Sequence, residues 1–377
     1  MDDPVQHSRK RRIIAQAVTT EAVKSMESII LGHVDQFCEL LTPSTSQQNG
    51  TWSEPLDVKV AANCFTFDTL TDVALGRSPD MLTSEKNRWI LSLLPKAVKF
   101  LHTMGHMPIL LCLYYLPFKS QMAKDMTMYH QDLSEKIAQH RIRQGTRSDG
   151  DKADVLSYLI NAKDPETGGA DTTALAITAA LFYLAQYPSS LIKLRTEPQQ
   201  AFDSKDSIRM GPVLLSCLYL RACLDEAMRL VPAVGGVLPR TVLPPGLVIA
   251  NEYCPPGTIV GVPGYAMNHH PEYFPEPFSF RPERWIVGSL GPGKTTVTEA
   301  DVRRSQAAFL QFSQGPRGCV GKHLAYAELS LAVASVVWSF DMEVSNKASS
   351  LAKFQDRDDW REAMSSRGEI PTGDICP

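Results

Sequence analysis

The stretch that decides the fold is residues 312–321, which read Phe312-Ser313-Gln314-Gly315-Pro316-Arg317-Gly318-Cys319-Val320-Gly321. Three glycines surround one cysteine, and glycine lets a backbone turn sharply and approach a flat ligand closely. Helical spacing resumes directly afterwards, because Leu324, Ala327 and Leu331 recur at steps of three and four. Cys319 is therefore expected at the amino-terminal end of a helix, where backbone N–H groups and the helix dipole favour a thiolate.

Two interpretations of this stretch are open from its residues alone. A thiolate held in this way can serve as the axial ligand that pushes electron density onto a heme iron. Arg317 can then offer a planar fork of hydrogen-bond donors to a heme propionate. The other interpretation is an ordinary glycine-rich turn that contains a buried thiol.

The stretch resembles the heme-binding signature of the cytochromes P450, and further segments resemble that family in the same order. Glu226-Ala227-Met228-Arg229 matches the family's Glu-x-x-Arg, and Pro282-Glu283-Arg284-Trp285 matches its Pro-Glu-Arg segment. A spacing of three already places Glu226 and Arg229 on one helix face as an ion pair. The resemblance implies that Arg284 completes a structural triad, which locks the core beneath the heme.

Two more segments imply contacts with the heme propionates. Pro239-Arg240 matches a family position whose arginine binds a propionate, and His7-Ser8-Arg9-Lys10-Arg11 resembles the fungal form of the family's Trp-x-x-x-Arg. From composition alone the basic run at residues 9–12 would be a solvated helix face, but the resemblance makes Arg11 a propionate contact. The implied cofactor-binding residues are Arg11, Arg240, Phe312, Gly315, Arg317, Cys319 and Gly321, with Cys319 as the axial ligand of the iron.

The segment Gly168-Gly169-Ala170-Asp171-Thr172-Thr173 resembles a motif on the family's long central helix. In that family the acid and the alcohol, here Asp171 and Thr172, relay protons through water and are the catalytic residues. A hydroxyl group suits a relay because it both donates and accepts hydrogen bonds. The alternative is that the two residues cap a helix that begins there.

The pattern along the chain predicts a mainly α protein with a minor β region, that is, an incomplete cytochrome P450 fold. Helical spacing covers residues 20–41, 56–75, 172–187, 214–230 and 324–340, whereas residues 237–262 alternate short apolar runs with Pro and Gly. We expect one heme-thiolate monooxygenase domain over residues 1–377, lacking the family's anchor and its first helices and strands. Pro165 and two glycines make a poor helix interior, so the central helix should begin near Ala170 without the family's first turns.

Composition limits the other classes of function. A formal net charge of −3 gives no global signal for nucleic acid, and none of the eight cysteines forms a Cys-x-x-Cys pair for zinc. No stretch reaches about 20 apolar residues, so we predict no transmembrane segment. The apolar run at residues 109–116 is read as buried, with an interfacial contact as the alternative. With the family's endoplasmic-reticulum anchor missing, the chain as written is expected in the cytoplasm.

The resemblance implies a heme-dependent oxidoreductase. Heme b (iron protoporphyrin IX), supplied with electrons from NADPH by a flavoprotein, NADPH-cytochrome P450 reductase, would insert one oxygen atom from O2 into a lipophilic small molecule. The sequences of several segments resemble those of filamentous-fungal family members that act in secondary metabolite biosynthesis or in aromatic compound hydroxylation. A truncated heme-binding or non-functional remnant without turnover is the alternative, because segments of the family pattern are missing.

Overall fold

A computed structural model describes residues 4–42, 55–92, 170–291, 295–344 and 374–376 of the chain. Two compact units divide it, one formed by Met1–Leu41 and Val60–Asp171 and the other by Thr42–Lys59 and Thr172–Pro377. The expectation of one heme-thiolate domain over residues 1–377 stays a prediction. The apolar run at residues 109–116 and the residues just before Ala170 lie outside the described part.

Helices dominate the described residues. In chain order they are α1 (Pro4–Ala17), α2 (Thr20–Ser25), α3 (Glu27–Leu41), α4 (Val58–Leu75), α5 (Ala170–Gln186), α6 (Pro188–Ala201), α7 (Pro212–Ser216), α8 (Leu218–Leu230), α9 (Gly264–Asn268), α10 (Glu299–Ala308) and α11 (Lys322–Ser339). Single 3-10 turns form at Glu85–Asn87, Lys205–Ser207, Pro282–Trp285 and Gly315–Arg317.

The core of the first unit forms where α3 meets α4. Phe37 and Phe65 are both fully buried, and their ring centroids lie 5.1 Å apart. The single helix predicted over residues 20–41 is wrong in one detail, because α2 ends at Ser25 and α3 begins at Glu27. Met26, fully buried between them, donates its N–H to the carbonyl of Val23 in a tighter turn.

The core of the second unit is built on α11. This helix packs against α6 and α8, and α6 packs against α8. A helix that is apolar nearly all round is expected at the centre of a core, and Leu331, Val333 and Val337 of α11 are fully buried. The helix predicted over residues 324–340 is confirmed, and it places the residues that follow Cys319 in the centre of the second unit.

The single helix predicted over residues 214–230 is broken at Cys217. Helix α8 begins at Leu218, and the carboxylate of Glu197 on α6 accepts hydrogen bonds from the backbone N–H groups of Tyr219 and Leu220 at 2.9 and 2.8 Å. The first N–H groups of a helix have no partner inside it. A side chain from another helix therefore satisfies the amino terminus of α8 and fixes where it starts.

The strands are short, as the alternation over residues 237–262 predicts. They are β1 (Leu56–Asp57), β2 (Arg240–Thr241), β3 (Leu247–Ile249), β4 (Glu252–Cys254), β5 (Ile259–Val260), β6 (Glu343–Val344) and β7 (Asp374–Cys376). The antiparallel pairs are β2 with β5, β3 with β4, and β7 with both β1 and β6. In the β2–β5 pair Arg240 lies opposite Val260, which fixes the position of one predicted propionate contact.

Among the described helices, none alone combines the length and the apolar character needed to cross a membrane. One sharply bent pair, Thr172–Gln186 with Pro188–Ala201 at 113°, reaches that length and composition together.

Candidate functional site

The cysteine loop, residues 312–321, is closed by hydrogen bonds within its own backbone. The N–H of Cys319 donates to the carbonyl of Phe312 at 2.6 Å, and the N–H of Gly318 donates to the carbonyl of Gly315 at 3.0 Å. The backbone of Gly315 has a φ of +68°, in the left-handed region that glycine adopts at little cost. These two hydrogen bonds fold the loop into a turn and bring Cys319 next to Phe312, where the loop begins.

Close approach within the loop favours glycine at position 318. A Cβ atom there would lie 3.2 Å from the carbonyl oxygen of Gly315, so a side chain would press on the turn. A Cβ atom on Gly321 would lie 4.0 Å from the sulfur of Cys319, which is an ordinary van der Waals contact. Position 321 therefore lies beside the thiol without being sterically restricted by it.

The thiol of Cys319 is exposed, three residues before α11 begins at Lys322. Cys38, Cys64, Cys217 and Cys223 are buried, and Cys254 is partly buried. The interpretation of the stretch as a turn around a buried thiol is therefore wrong. An exposed thiol three residues before a helix is accessible to a ligand.

Phe312, the first residue of the cysteine loop, contacts the first turns of α11. Its ring centroid is 5.0 Å from that of Tyr326, and the ammonium group of Lys322 lies 5.7 Å from the centre of the Phe312 ring. The predicted site residue Phe312 thus supports the loop in two ways. Its carbonyl anchors the N–H of Cys319, and its ring anchors the loop to the helix.

Two predicted propionate contacts lie in the second unit, and both are exposed. Arg317 lies in the 3-10 turn Gly315–Arg317, and its guanidinium has no ion-pair partner among the described residues. Arg240 lies on β2 and donates a hydrogen bond to the carbonyl of Pro239 at 2.9 Å. Its neighbours Val237 and Leu238 are 40% and 42% exposed.

These residues fit heme, which has an apolar ring and two carboxylates. The exposed thiol of Cys319 supplies an axial ligand, and the guanidinium groups of Arg240 and Arg317 supply donors for carboxylates. The exposed apolar side chains of Val237 and Leu238 suit a ring edge. Arg11 lies on α1 in the first unit, so its predicted propionate contact stays a prediction.

The predicted triad forms, and it is buried. Glu226 and Arg229 have no exposed surface, and Arg284 is 3% exposed. Both nitrogens of one edge of Arg229 donate to the Glu226 carboxylate at 2.9 Å, and Nε of Arg284 donates to the same carboxylate at 3.0 Å. The side chain of Trp285 adds a further donor at 3.0 Å, as does the backbone N–H of Arg281.

The two arginines of the triad hold the irregular segment that follows α9. Arg229 donates to the carbonyls of Asn268 and Pro277 at 2.8 and 2.6 Å, and Arg284 donates to that of Pro275 at 2.8 Å. Burial alone would raise the pKa of Glu226, but the charges of the two arginines outweigh it and lower that pKa. The triad therefore holds an ionised carboxylate, and the structural role that the resemblance implies for it stays a prediction.

The predicted catalytic pair lies in the first turn of α5. The helix is described from Ala170 onwards, and the residues before it lie outside the described part, so the capping alternative stays open. The side chain of Thr172 is exposed, whereas that of Thr173 is buried. A hydroxyl group on an exposed helix turn is open to water, which a proton relay requires. The catalytic role of the pair stays a prediction.

A buried acid, Glu328, was not predicted. It lies on the buried side of α11 at 3% exposure, accepts a hydrogen bond from Thr173, and leaves its Oε1 without a partner among the described residues. Burial raises its pKa to about 8. The helical spacing could have predicted its burial, because Glu328 shares one helix face with Leu324 and Leu331 and so lies within an apolar stripe.

Comparisons with known proteins agree on one family. The family model described as "Cytochrome P450" matches residues 1–357. "Cytochrome P450 monooxygenase AKT7" of Alternaria alternata is 33% identical in an alignment of 373 positions, which covers 92% of this chain and 68% of that protein. "Cytochrome P450 monooxygenase apf8" of Gibberella fujikuroi is 32% identical in an alignment of 345 positions, which covers 86% of this chain and 89% of that protein.

A solved structure shows the same fold. The chain matches the "Crystal structure of cytochrome P450DA heme domain" with a TM-score of 0.70 at 19% identity, over 92% of this chain and 72% of that one. At this level of identity the likeness concerns the fold alone. The prediction of a mainly α fold of this type with a minor β region is confirmed.

Proposed function

Because this chain belongs to the cytochrome P450 family of heme-dependent monooxygenases, we propose that the thiolate of Cys319 holds heme b at the open side of the cysteine loop. We further propose that NADPH supplies the electrons through a flavoprotein, NADPH-cytochrome P450 reductase. The substrate proposed is a lipophilic small molecule of fungal secondary metabolism, or an aromatic compound that becomes hydroxylated.

One observation carries the assignment of the site. The exposed thiol of Cys319 lies at the end of a loop that is closed by its own hydrogen bond to Phe312, next to α11. When bound, heme supplies the activation of dioxygen, and a thiolate ligand favours cleavage of the O–O bond. Arg317 and Arg240 would orient the ring through its propionates.

The remaining residues move protons or keep the site in place. Asp171 and Thr172 would pass protons inward from water, because the hydroxyl of Thr172 can accept one proton while it donates another. Gly315 supplies the left-handed backbone conformation of the turn, and Gly321 leaves the sulfur without a side-chain neighbour at that position. The triad of Glu226, Arg229 and Arg284 touches no reacting atom and acts by folding the segment beneath the site.

The test is the absorbance of the reduced carbon-monoxide complex after expression with a heme precursor. The wild-type chain should show the red-shifted Soret band of a thiolate-ligated heme. Cys319→Ala should abolish that band, whereas Cys254→Ala, which removes a partly buried thiol on β4, should keep it. If Cys319→Ala retains the band, another residue is the ligand.

Product formed per NADPH consumed, with reductase supplied, distinguishes turnover from its absence. A chain that shows the red-shifted band but forms no product would be a heme-binding remnant. A chain that never shows the band would contradict the proposed heme site at Cys319. Tight coupling of product to NADPH would establish the monooxygenase and would exclude the remnant.

A further inference from the structure

A charged cluster on α8 contacts the helix that follows the cysteine loop. Nε of Arg221 donates to one oxygen of Asp225 at 2.9 Å, and the hydroxyl of Tyr326 on α11 donates to the other at 2.5 Å. The guanidinium carbon of Arg221 also lies 3.6 Å from the centre of the Tyr326 ring. Asp225 is only 9% exposed, so these two partners satisfy a carboxyl group that is nearly buried.

This cluster reaches Cys319 through one ring and one hydrogen bond. The ring of Tyr326 packs on that of Phe312, with 5.0 Å between centroids and 40° between planes. The carbonyl of Phe312 then accepts the N–H of Cys319 at 2.6 Å. A shift of the Tyr326 ring therefore moves Phe312, and a shift of Phe312 lengthens the bond that closes the loop.

The loop needs such support from outside. Ser313, which directly follows Phe312, has a φ of +54°, a left-handed conformation that is unfavourable for a residue other than glycine. Cys319 itself is exposed. A strained turn with an exposed end persists when its surroundings fix it.

We propose that Arg221, Asp225 and Tyr326 are positioning residues, which clamp the Phe312 ring and so hold the Cys319 loop in its ligating geometry. The hydroxyl of Tyr326 is the key contact, because it joins α8 to α11 at the point where the ring of Phe312 rests. This inference rests on the proposed heme site for its functional meaning, but the clamp itself can be measured without heme.

The first experiment measures hydrogen exchange of the Cys319 amide in the full chain. Tyr326→Phe keeps the ring and removes only the hydroxyl, so exchange should become about tenfold faster, which corresponds to about 1.4 kcal/mol. The matched control is Tyr219→Phe. Tyr219 donates to the carboxylate of Glu283 at 2.9 Å and lies 4.2 Å under the ammonium group of Lys193, so it has the same chemistry at another place. Equal exchange rates in the two variants would overturn the clamp.

A double variant tests whether the residues act as one unit. Tyr326→Phe with Asp225→Ala should exchange no faster at Cys319 than the faster of the two single variants, since each change removes the Tyr326–Asp225 hydrogen bond. Effects that multiply would mean that the two residues act separately, and the clamp would then be wrong. Unfolding by urea, followed for each variant, shows whether the exchange change is local to the loop.

The heme-loaded protein gives an independent readout. Tyr326→Phe should lose the red-shifted carbon-monoxide band about tenfold faster than the wild type in mild denaturant, whereas Tyr219→Phe should match the wild type. Equal loss in both variants would refute a role in ligation. A wild type that never shows the band, with the exchange difference present, would refute the proposed heme site and leave the clamp standing.

Discussion

Replacing Glu226 by alanine should unfold the protein, because two buried cations would lose their shared anion. The carboxylate accepts from the guanidinium groups of Arg229 and Arg284, and also from the indole of Trp285. Neither arginine can turn outward to water, since Arg229 is fully buried and Arg284 is 3% exposed. The variant would therefore keep two like charges in the interior with only carbonyl oxygens as partners.

The expected loss follows from the burial of the pair. Removing one partner of a buried ion pair costs about 3–5 kcal/mol, and this carboxylate serves two cations at once. Domains are typically stable by only about 5–15 kcal/mol, so the loss takes from about a fifth of the total to all of it. Because the arginines lower the pKa of Glu226, its contribution is present above the unfolded-state pKa and is lost as the pH falls through the lower folded-state value.

The assay is urea unfolding at neutral pH, together with the yield of soluble, heme-loaded protein. Glu226→Ala should lose solubility and heme together. The control is Glu299→Ala, which breaks an ion pair with Arg303 whose side chains are 70% and 67% exposed. An exposed pair contributes about 1 kcal/mol at most, so the control should resemble the wild type. The difference between Glu226→Ala and wild type should shrink as the pH becomes acid.

The reasoning would be refuted by a Glu226→Ala protein that is soluble, heme-loaded and as stable as Glu299→Ala. Such a result would mean that the arginines find other anions or that the buried contacts with Asn268 and Pro277 suffice. Glu226→Gln separates the loss of charge from the loss of hydrogen bonds, because the amide keeps the shape and part of the hydrogen bonding but not the charge. It should be destabilised less than the alanine variant.

Three further predictions concern single groups. Burial raises the pKa of Glu328 to about 8, so the folded state holds this proton more tightly than the unfolded state does, and the free energy of unfolding falls as the pH rises from about 4.5 towards 8. Glu328→Gln should remove this decline when urea unfolding is followed against pH. An unchanged decline in the variant would contradict the raised pKa. Arg317→Ala and Arg240→Ala should each speed heme loss to an acceptor protein at least about tenfold, since hydrogen bonds to charged groups contribute about 1.5–3 kcal/mol; a rate equal to that of the wild type would remove that residue from the site. Thr172→Ala should divert NADPH into peroxide while Thr172→Ser keeps product formation, and equal coupling in the two variants would argue against the relay.

Short-range chemistry could be predicted from the sequence. The spacing of Glu226 and Arg229 places both on one helix face, and the glycines around Cys319 require a tight turn whatever lies around it. Arg284 was joined to the pair only through the family resemblance, because nothing local connects positions 58 residues apart. The structure brings all three together, and it shows the Cys319 thiol exposed as a ligand site needs.

Contacts between distant segments could not be predicted. Helical periodicity continues through Cys217, yet α8 starts anew at Leu218 because Glu197 of another helix accepts its first N–H groups. Periodicity describes which face is apolar and carries no information on which remote side chain will cap an end. The same limit hid the contact of Asp225 with Tyr326, 101 residues away.

Helix α8 carries residues of both the triad and the clamp, and its adjacent residues Asp225 and Glu226 face different partners. Glu226 faces the irregular segment that carries Arg284, and Asp225 faces Tyr326 on α11. Successive side chains on a helix point about 100° apart, so one helix can serve both without either contact blocking the other. The consequences of losing them differ, since Glu226 is fully buried between two cations whereas the guanidinium that faces Asp225 is partly exposed. Loss of the first is therefore a loss of the fold, and loss of the second loosens one loop of a protein that still folds.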